Sequence, residues 1–285
     1  MKKATAVALC ALAALCASGA MKWKNFDDKS HLSGPKLTED DLLGKAVLLY
    51  YWDVADEASV KYLPEVEKVW NSFKTKKFAV IGTYGGAKDE AKIKDAVEKG
   101  KVKFPVYYKF DMDPPPTHWK TPYFCVINHR GTVVYSGAGM KDATQKSVEA
   151  MTAIGMPASL CGDVTFKKFK GVAGQLKLGS NVSAVLKKLE KETKNKDPNV
   201  ASEAQEIISA IESARDDVKA DIELYGKADP AEAIKLIQLF MKTWPKDDAV
   251  ADLKAQISEL KEKAKEKAKA DKEKAKADKE KAKAK

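Results

Sequence analysis

Cysteine is scarce in this chain of 285 residues, which contains four. Two of them, Cys10 and Cys16, fall in the first twenty residues, so Cys125 and Cys161 are the only thiols of the remaining chain. These two could form a disulfide only if their Cα atoms lie within about 7 Å. The sequence therefore excludes a fold held together by several disulfides and leaves this one bond open.

Histidine is equally scarce, and the common nucleotide-binding motifs are absent. The chain has 3 histidines, at positions 31, 118 and 129, and no two of them share a metal-ligand or helical spacing. It contains no phosphate-binding loop, no dinucleotide fingerprint and no Gly-x-Ser-x-Gly motif. We therefore expect neither a bound metal nor a cofactor.

Only the first twenty residues contain a long apolar run. Lys2 and Lys3 precede an apolar stretch over residues 4–17, and the small residues 18–20 follow it. This is the pattern of a secretory signal peptide, because the run is shorter than the roughly 20 residues that a membrane span needs. The sequence predicts cleavage after Ala20 and export to the periplasm or the exterior of a bacterial cell.

The net charge of +10 is concentrated at the end of the chain. Residues 261–285 contain 12 lysines and 6 acids, and the first twenty residues add two lysines, so residues 21–260 carry only +2. We therefore expect no specific nucleic-acid binding by the body of the protein. The tail could bind an anionic envelope polymer or a membrane surface, or it could be a solvated spacer, since its lysines and acids are interleaved.

Residues 21–158 have the pattern of an α/β domain. Apolar runs of strand length alternate with helical periodicity, which is typical of a mixed sheet flanked by helices. The main predicted strands are Ala46–Trp52, Phe78–Thr83, Phe104–Phe110, Tyr123–Ile127 and Thr132–Tyr135.

Strand patterns end beyond Cys161. Apolar spacing predicts a helix in the connecting segment 159–180 and helical hairpins over residues 181–260. Asp197-Pro198 and Asp229-Pro230 each mark the start of a helix. If this domain binds peptides, Phe240 and Trp244 are the apolar side chains that we expect to be exposed. The tail, 261–285, has no apolar seam, and we expect a solvated helix or disorder.

Three stretches of the α/β domain resemble the thioredoxin superfamily, in particular its exported TlpA-like and peroxiredoxin-like members. They are Gly44-Lys45 before the strand that ends at Trp52, Phe104-Pro105-Val106 with Asp111, and Thr121-Pro122 before the next strand. The resemblance implies a thioredoxin fold with Pro122 in a cis peptide bond. It also implies a groove formed by Trp52, Asp56, Ser59, Thr121 and Pro122.

The redox motif of that superfamily is missing here. In its redox members a strand containing tryptophan leads into Cys-x-x-Cys, and a proline follows five residues later. Trp52 and Pro64 fit the ends of this frame, which places Asp56-Glu57-Ala58-Ser59 at the motif. Carboxylate and hydroxyl groups cannot replace the attacking thiolate. Capping of the helix start is the simplest role for Asp56, and lining a ligand groove is the alternative.

These features indicate an exported, redox-inactive protein that binds or scaffolds an unidentified protein or peptide. The alternative is a divergent thiol-disulfide oxidoreductase or peroxidase that uses Cys161, Cys125 or both. We expect Cys125 to be a small buried apolar residue in the centre of the sheet. Cys161 lies in the connecting segment, where we expect it to be more exposed.

Overall fold

The structure is a computed structural model that describes residues 22–73, 77–113, 120–154, 159–161 and 166–283. The predicted signal peptide, residues 1–20, lies outside the described residues, and so does His118. Among the described residues no helix is both long enough and apolar enough to cross a membrane.

The first half of the protein is built on a mixed sheet. Its strands and those of a small accessory ribbon are β1 (Lys22–Lys24), β2 (His31–Ser33), β3 (Ala46–Trp52), β4 (Phe78–Tyr84), β5 (Val106–Tyr108), β6 (Asp111–Asp113), β7 (Tyr123–Ile127) and β8 (Val133–Gly137). The six-stranded sheet has the order β2-β5-β4-β3-β7-β8, and β1 pairs with β6 separately. Strands β3, β4 and β5 are parallel, whereas β2, β7 and β8 run antiparallel to their neighbours.

Helices cover one face of this sheet. The helices of this half are α1 (Glu39–Leu42), α2 (Glu57–Phe73), α3 (Glu90–Lys99) and α4 (Met140–Thr152). Helices α2, α3 and α4 pack on one face, and the segment around α1 covers the other face together with residues 107–112. An α/β domain with a mixed sheet flanked by helices is therefore confirmed.

The central strand β3 explains why the sequence forms a two-sided core. All seven of its residues are buried, and alternate side chains point to opposite faces. Leu48, Tyr50 and Trp52 join the core beneath the helices. Leu49 and Tyr51 join the core on the other face. The continuous apolar run in the sequence is thus what a strand covered on both faces requires.

The second half consists of helices that share one apolar core. They are α5 (Ser183–Glu192), α6 (Pro198–Ala228), α7 (Pro230–Thr243) and α8 (Val250–Lys283). The side chain of Asp197 accepts a hydrogen bond from the Asn199 N–H group at the start of α6. Asp229 does the same for the Glu232 N–H group at the start of α7. Each cap is followed by proline, which lacks the amide hydrogen that the first turn of a helix leaves unpaired.

The connecting segment is not the helix that its apolar spacing predicts. Its described residues are irregular apart from a single 3₁₀ turn, Ala173–Gln175. The carboxylate of Glu203 on α6 accepts hydrogen bonds from the N–H groups of three successive residues of this segment, Lys167, Lys168 and Phe169. Because these N–H groups bond to a side chain of α6 and not to carbonyl oxygens within the segment, the segment packs along α6 without forming a helix of its own. Phe169 is nevertheless buried in the helical core.

Two other expectations for the helical half need correction or completion. Phe240 and Trp244 were expected to be exposed, but both are buried in the helical core and their rings lie 5.0 Å apart. The prediction was wrong because Phe240 belongs to the buried side of α7 together with Ala233 and Ile237, and the Trp244 ring packs against it. The tail continues α8 as a helix to Lys283, and among the residues of α8 whose burial is described Leu260 is the last buried apolar one.

A buried ionic joint connects the two halves. The β7–β8 turn places His129 and Arg130 against Asp221 of α6. The Nε and Nη2 atoms of Arg130 donate to the two carboxylate oxygens of Asp221, at 2.7 and 2.9 Å, and His129 Nε2 lies 3.2 Å from Oδ1. Asp217 adds an ion pair to Arg130 at 2.8 Å. The side chains of His129 and Asp221 are 4% and 6% exposed.

The same helix contacts the start of β3. The Tyr225 hydroxyl donates to the Gly44 carbonyl oxygen at 3.3 Å, and its ring stacks on His129. Gly44 has φ +71, and an added Cβ would lie 3.0 Å from the Ala228 side chain. Glycine is therefore required here both by backbone conformation and by close approach. Lys77, just before β4, pairs with Glu232 of α7 at 3.5 Å.

Candidate functional site

The turn between β3 and α2 is the position at which the redox motif would lie. Ser59 is completely buried there, and its hydroxyl is fully used in hydrogen bonding. Its oxygen lies 2.8 Å from the carbonyl oxygens of both Asp53 and Asp56, between which its single hydrogen is shared, and it accepts from the Asp53 N–H group at 3.1 Å. The Ser59 carbonyl oxygen in turn accepts from the Tyr50 hydroxyl. Ser59 therefore fastens the end of the strand to the first turn of the helix.

Asp56 has a half-satisfied carboxylate. Its Oδ1 atom accepts from the Ala58 N–H group at 3.1 Å, which is the hydrogen bond of a helix-capping residue. Its Oδ2 atom is buried and has no hydrogen-bond partner among the described residues. The same is true of the indole Nε1 of Trp52. Capping thus accounts for one oxygen of Asp56 and leaves the other unexplained.

Asp53 and Tyr84 form a second polar pair at this end of the sheet. The Tyr84 hydroxyl lies 3.4 Å from Asp53 Oδ1 and donates to the Ala87 carbonyl oxygen at 2.9 Å. Burial raises the pKa of Tyr84 to about 12, and the negative charge of Asp53 adds to the effect. The phenol therefore stays protonated at neutral pH. The Asp53 carboxylate also lies against Gly86, where an added Cβ would overlap it.

Strand register brings the predicted proline to this end of the sheet. Tyr123 pairs with Tyr51, so that Pro122 comes next to the end of β3, where Trp52 lies. The Thr121-Pro122 peptide bond is cis. Thr121 and Pro122 are half-buried, whereas Trp52 is completely buried. The predicted groove residues therefore come from two adjacent strands and the helix start, and the contribution of Trp52 is to the core rather than to a surface.

The two thiols are buried in different cores and are not joined. Cys125 lies in the sheet core that includes Tyr51, and Cys161 lies in the helical core. Both are free. Burial raises the pKa of Cys125 to about 12, with a contribution from the charge of Asp111, and burial raises the pKa of Cys161 to about 11. The expectation that Cys161 is more exposed was wrong, because the connecting segment packs its Leu160-Cys161 stretch into the helical core.

Four features together decide the fold. They are the strand order, the central strand that ends in tryptophan, the helix that follows this strand, and the cis proline next to the end of the strand. The first half of the chain has a thioredoxin-like fold. The fold expected from the sequence is thus supported for this half, and residues 56–59 lie where β3 leads into α2.

Solved structures similar to this chain are thioredoxin-like proteins. One is the thioredoxin domain of a thiol-disulfide oxidoreductase from Bacteroides vulgatus, with 20% identity, a TM-score of 0.36, and coverage of 43% of this chain and 90% of that one. Another is a putative thioredoxin from Neisseria meningitidis, with 21% identity, a TM-score of 0.36 and coverage of 41% and 81%. A third is a secreted disulfide oxidoreductase from Mycobacterium tuberculosis, with 20% identity, a TM-score of 0.33 and coverage of 43% and 92%.

Comparisons with protein-family models and with curated protein sequences gave no match. The assignment of the thioredoxin-like fold therefore depends on strand order and on the geometry around β3 and Pro122. The similarity to the three solved structures spans 41–43% of the chain.

Neither of two clefts in the structure lies at the thioredoxin-like site. One has a volume of about 440 Å³ and is bordered by the connecting segment and α5, with Lys168 and Lys188 at its edge. The other has a volume of about 500 Å³ and lies between the α6–α7 corner and α8. Among the described residues, no cluster of three His, Cys, Asp or Glu side chains is arranged to hold a metal ion.

Sequence reasoning missed the ionic joint. Asp221 lies within the apolar stripe of α6 formed by Val218, Ile222 and Tyr225, all of which are buried. A carboxylate in the apolar stripe of a helix has to find a buried partner, because an isolated buried charge is costly. The acidic residue at position 221, within the apolar stripe of α6, could therefore have predicted a buried ion pair from the sequence. Glu203, which lies beside the buried Ala204 and Ile207, gave the same signal for the connecting segment.

Proposed function

We propose that this protein is an exported, redox-inactive thioredoxin-fold protein that acts as a binding or scaffolding module. The observation that carries the proposal is the hydrogen bonding of Ser59. At the position of the second motif cysteine, a completely buried hydroxyl bonds to backbone groups of Asp53 and Asp56. The turn that presents a reactive thiol in redox relatives is therefore a fixed structural turn here.

The remaining thiols do not favour the alternative, a thiol oxidoreductase or peroxidase. A thiolate is the nucleophile in both reactions, and its population falls as the thiol pKa rises. With pKa values of about 12 for Cys125 and about 11 for Cys161, both thiols remain protonated at neutral pH. Their burial also blocks the approach of a disulfide or a peroxide.

The proposed binding function concerns the surface around Asp56 and Pro122. Asp56 Oδ2 is an acceptor without a partner among the described residues, and such an acceptor is unfavourable unless a partner supplies a donor. We expect a protein or peptide bound at this end of β3 to supply that donor. The export part of the proposal comes from the signal-peptide pattern of the first twenty residues.

Two assays on the purified protein test the absence of redox activity. With a chromogenic disulfide reagent, Cys125 and Cys161 should react only after denaturation, because both are buried in the folded state. The native protein should neither reduce insulin nor consume peroxide. A rapidly reacting native thiol together with turnover in either assay would refute the proposal.

A variant with Asp56→Cys and Ser59→Cys tests the position of the turn. In a thioredoxin-like helix start, the two introduced thiols should oxidise to a reducible disulfide. A matched control with Glu57→Cys and Lys61→Cys, on the exposed side of α2, keeps the number of added thiols constant. Failure of the first pair to oxidise would contradict the assignment of Asp56 and Ser59 to the motif.

The binding surface is tested with a photoreactive residue at Glu57, which is exposed at the start of α2, and with one at Lys94 of α3 as a control. The first position should form a discrete crosslink with an extract protein, and Asp56→Asn should weaken it. Equal crosslinking from both positions would contradict a specific site at Asp56.

A further inference from the structure

The charged residues of the tail are mixed along the sequence but separated on the surface of the helix. Successive residues of an α-helix are rotated by about 100°. The described tail is helical to Lys283. Five of its lysines follow one another at spacings of four, four, three and four residues, and these spacings place all five within an arc of about 80° around the helix axis. We call this set the lysine row, and its members are Lys261, Lys265, Lys269, Lys272 and Lys276.

The lysine row is continuous and contains no acid. All five lysines are exposed. At a rise of about 1.5 Å per residue the row is about 22 Å long, and the sequence continues the same spacing to Lys279 and Lys283. The acids of the tail lie outside the row: Glu262, Glu266 and Glu273 border it on one side by helical geometry. Glu262 forms an exposed ion pair with Lys265 of the row at 2.8 Å, which leaves the other four ammonium groups of the row for a partner. One side of this helix is therefore a narrow line of positive charge.

The lysine row is directed away from the body of the protein. The part of α8 that contacts the α6–α7 corner is formed by Lys263, Glu266, Lys267 and Ala270, which line the cleft there. Lys267 also donates to the Ala228 carbonyl oxygen at that corner. By the helical rotation of about 100° per residue, the centre of the row lies nearly opposite these contacts. The body thus holds the helix with its lysine row directed into solvent.

We propose that the lysine row binds a linear polymer of repeated phosphate groups that carries no bases. Lysine binds phosphate as a compact point charge that accepts any direction of approach, whereas arginine binds carboxylates and phosphates through a planar, bidentate fork. Residues 261–285 contain twelve lysines and no arginine. A row one side chain wide matches a chain of phosphates laid along the helix, and each ammonium group can contact one or two of them.

The flanking acids disfavour a membrane as the partner. A flat anionic bilayer in contact with the lysine row would also face the bordering carboxylates of Glu262 and Glu273, which it would repel. A narrow polymer can contact the row alone. The row also has no large apolar side chain that could enter the bilayer and no aromatic ring on which nucleic-acid bases could stack.

Two variants of equal charge test this proposal in the full-length protein. The row variant is K265Q, K269Q, K272Q and K276Q. The matched control neutralises the four lysines on the other side of the helix, K263Q, K267Q, K274Q and K281Q. Glutamine has nearly the helix propensity of lysine, so both variants should retain the helix, which circular dichroism checks.

Binding of inorganic polyphosphate is measured by titration calorimetry over a range of salt concentrations. The row variant should lose affinity at least tenfold more than the control, and its logarithmic salt dependence should flatten by about one unit for each lysine removed. Equal losses in the two variants would show that net charge alone attracts the polymer and would overturn the proposal.

Three competitors identify the chemistry of the partner. Polygalacturonate presents carboxylates in place of phosphates, single-stranded DNA adds bases to the phosphates, and vesicles containing an anionic phospholipid present a plane. The proposal expects polyphosphate to bind most tightly at equal concentration of charge. Tighter binding of any one of the three would overturn it in favour of that class.

Discussion

The buried joint between the two halves yields the sharpest stability prediction, for Asp221→Ala. Asp221 is the common partner of His129 and Arg130, and the substitution leaves both without their carboxylate. Removing one member of a fully buried ion pair costs about 3–5 kcal/mol of unfolding free energy. The Arg130 side chain is 33% exposed, so it regains some hydration when the pair is broken. We therefore expect a loss of about 2–3 kcal/mol.

Asp217→Ala is the matched control for this prediction. Asp217 pairs with the same arginine at 2.8 Å, but its side chain is 55% exposed. An ion pair of this kind contributes at most about 1 kcal/mol. Urea denaturation of the two variants, followed by tryptophan fluorescence, gives both free energies. If Asp221→Ala is no more destabilising than Asp217→Ala, the buried ion pair of Asp221 does not stabilise the contact between the two halves.

The joint should also couple the unfolding of the two halves. In the native protein, Asp221 and Tyr225 hold α6 against the β7–β8 turn and against Gly44. Hydrogen exchange in Asp221→Ala should accelerate in peptides from the 128–132 turn and from the second half of α6. Peptides from β3 and β4 should keep their protection, because that core does not depend on the joint. Uniform acceleration throughout the chain would instead indicate global destabilisation.

Three further predictions follow from single polar groups. Burial alone would raise the pKa of Asp221, but its hydrogen bonds with His129 and Arg130 lower that pKa below 3.8. The contribution of Asp221 to stability is therefore present above pH 3.8 and is lost as the pH falls through the lowered pKa. Acid denaturation of the wild type and of Asp221→Asn measures this loss. Ser59→Ala should cost about 1–3 kcal/mol in urea denaturation because the Asp53 N–H group loses its acceptor. Ser72→Ala, at an exposed position in the last turn of α2, should cost little. Glu203→Gln should lower the melting temperature by about 2–4 °C, for a loss near 1 kcal/mol, because it weakens the acceptor of three backbone amides.

The elements of the thioredoxin-like half could be predicted because their signals are local. A strand covered on both faces is a continuous apolar run, and Ala46–Trp52 has that form in the sequence and in the structure. The frame that identified Asp56 and Ser59 needed only the distances along the chain from Trp52 to Pro64. Spacing along the chain places both residues at the start of the helix because they belong to the segment that joins one strand to the helix that follows it.

The contacts that the sequence could not predict connect residues far apart in the chain. The segment around Phe169 has helical spacing of apolar residues, yet its amides bond to Glu203, which lies more than thirty residues away. The burial of Cys161 follows from the same path of the chain. His129 and Arg130 look like residues of an ordinary polar turn until Asp221 is placed beside them by the packing of α6.

The position of the joint has a consequence for binding. Strand β3 begins beside Gly44, which contacts Tyr225, and ends at Trp52, beside the turn containing Ser59. At about 3.3 Å per residue, its seven residues separate these two ends by about 20 Å. The helical half therefore contacts β3 near Gly44, and this contact does not cover the end of β3 at Trp52. A partner beside Asp56 and a polymer along the lysine row would consequently occupy separate surfaces, and a variant of either surface should leave binding at the other unchanged.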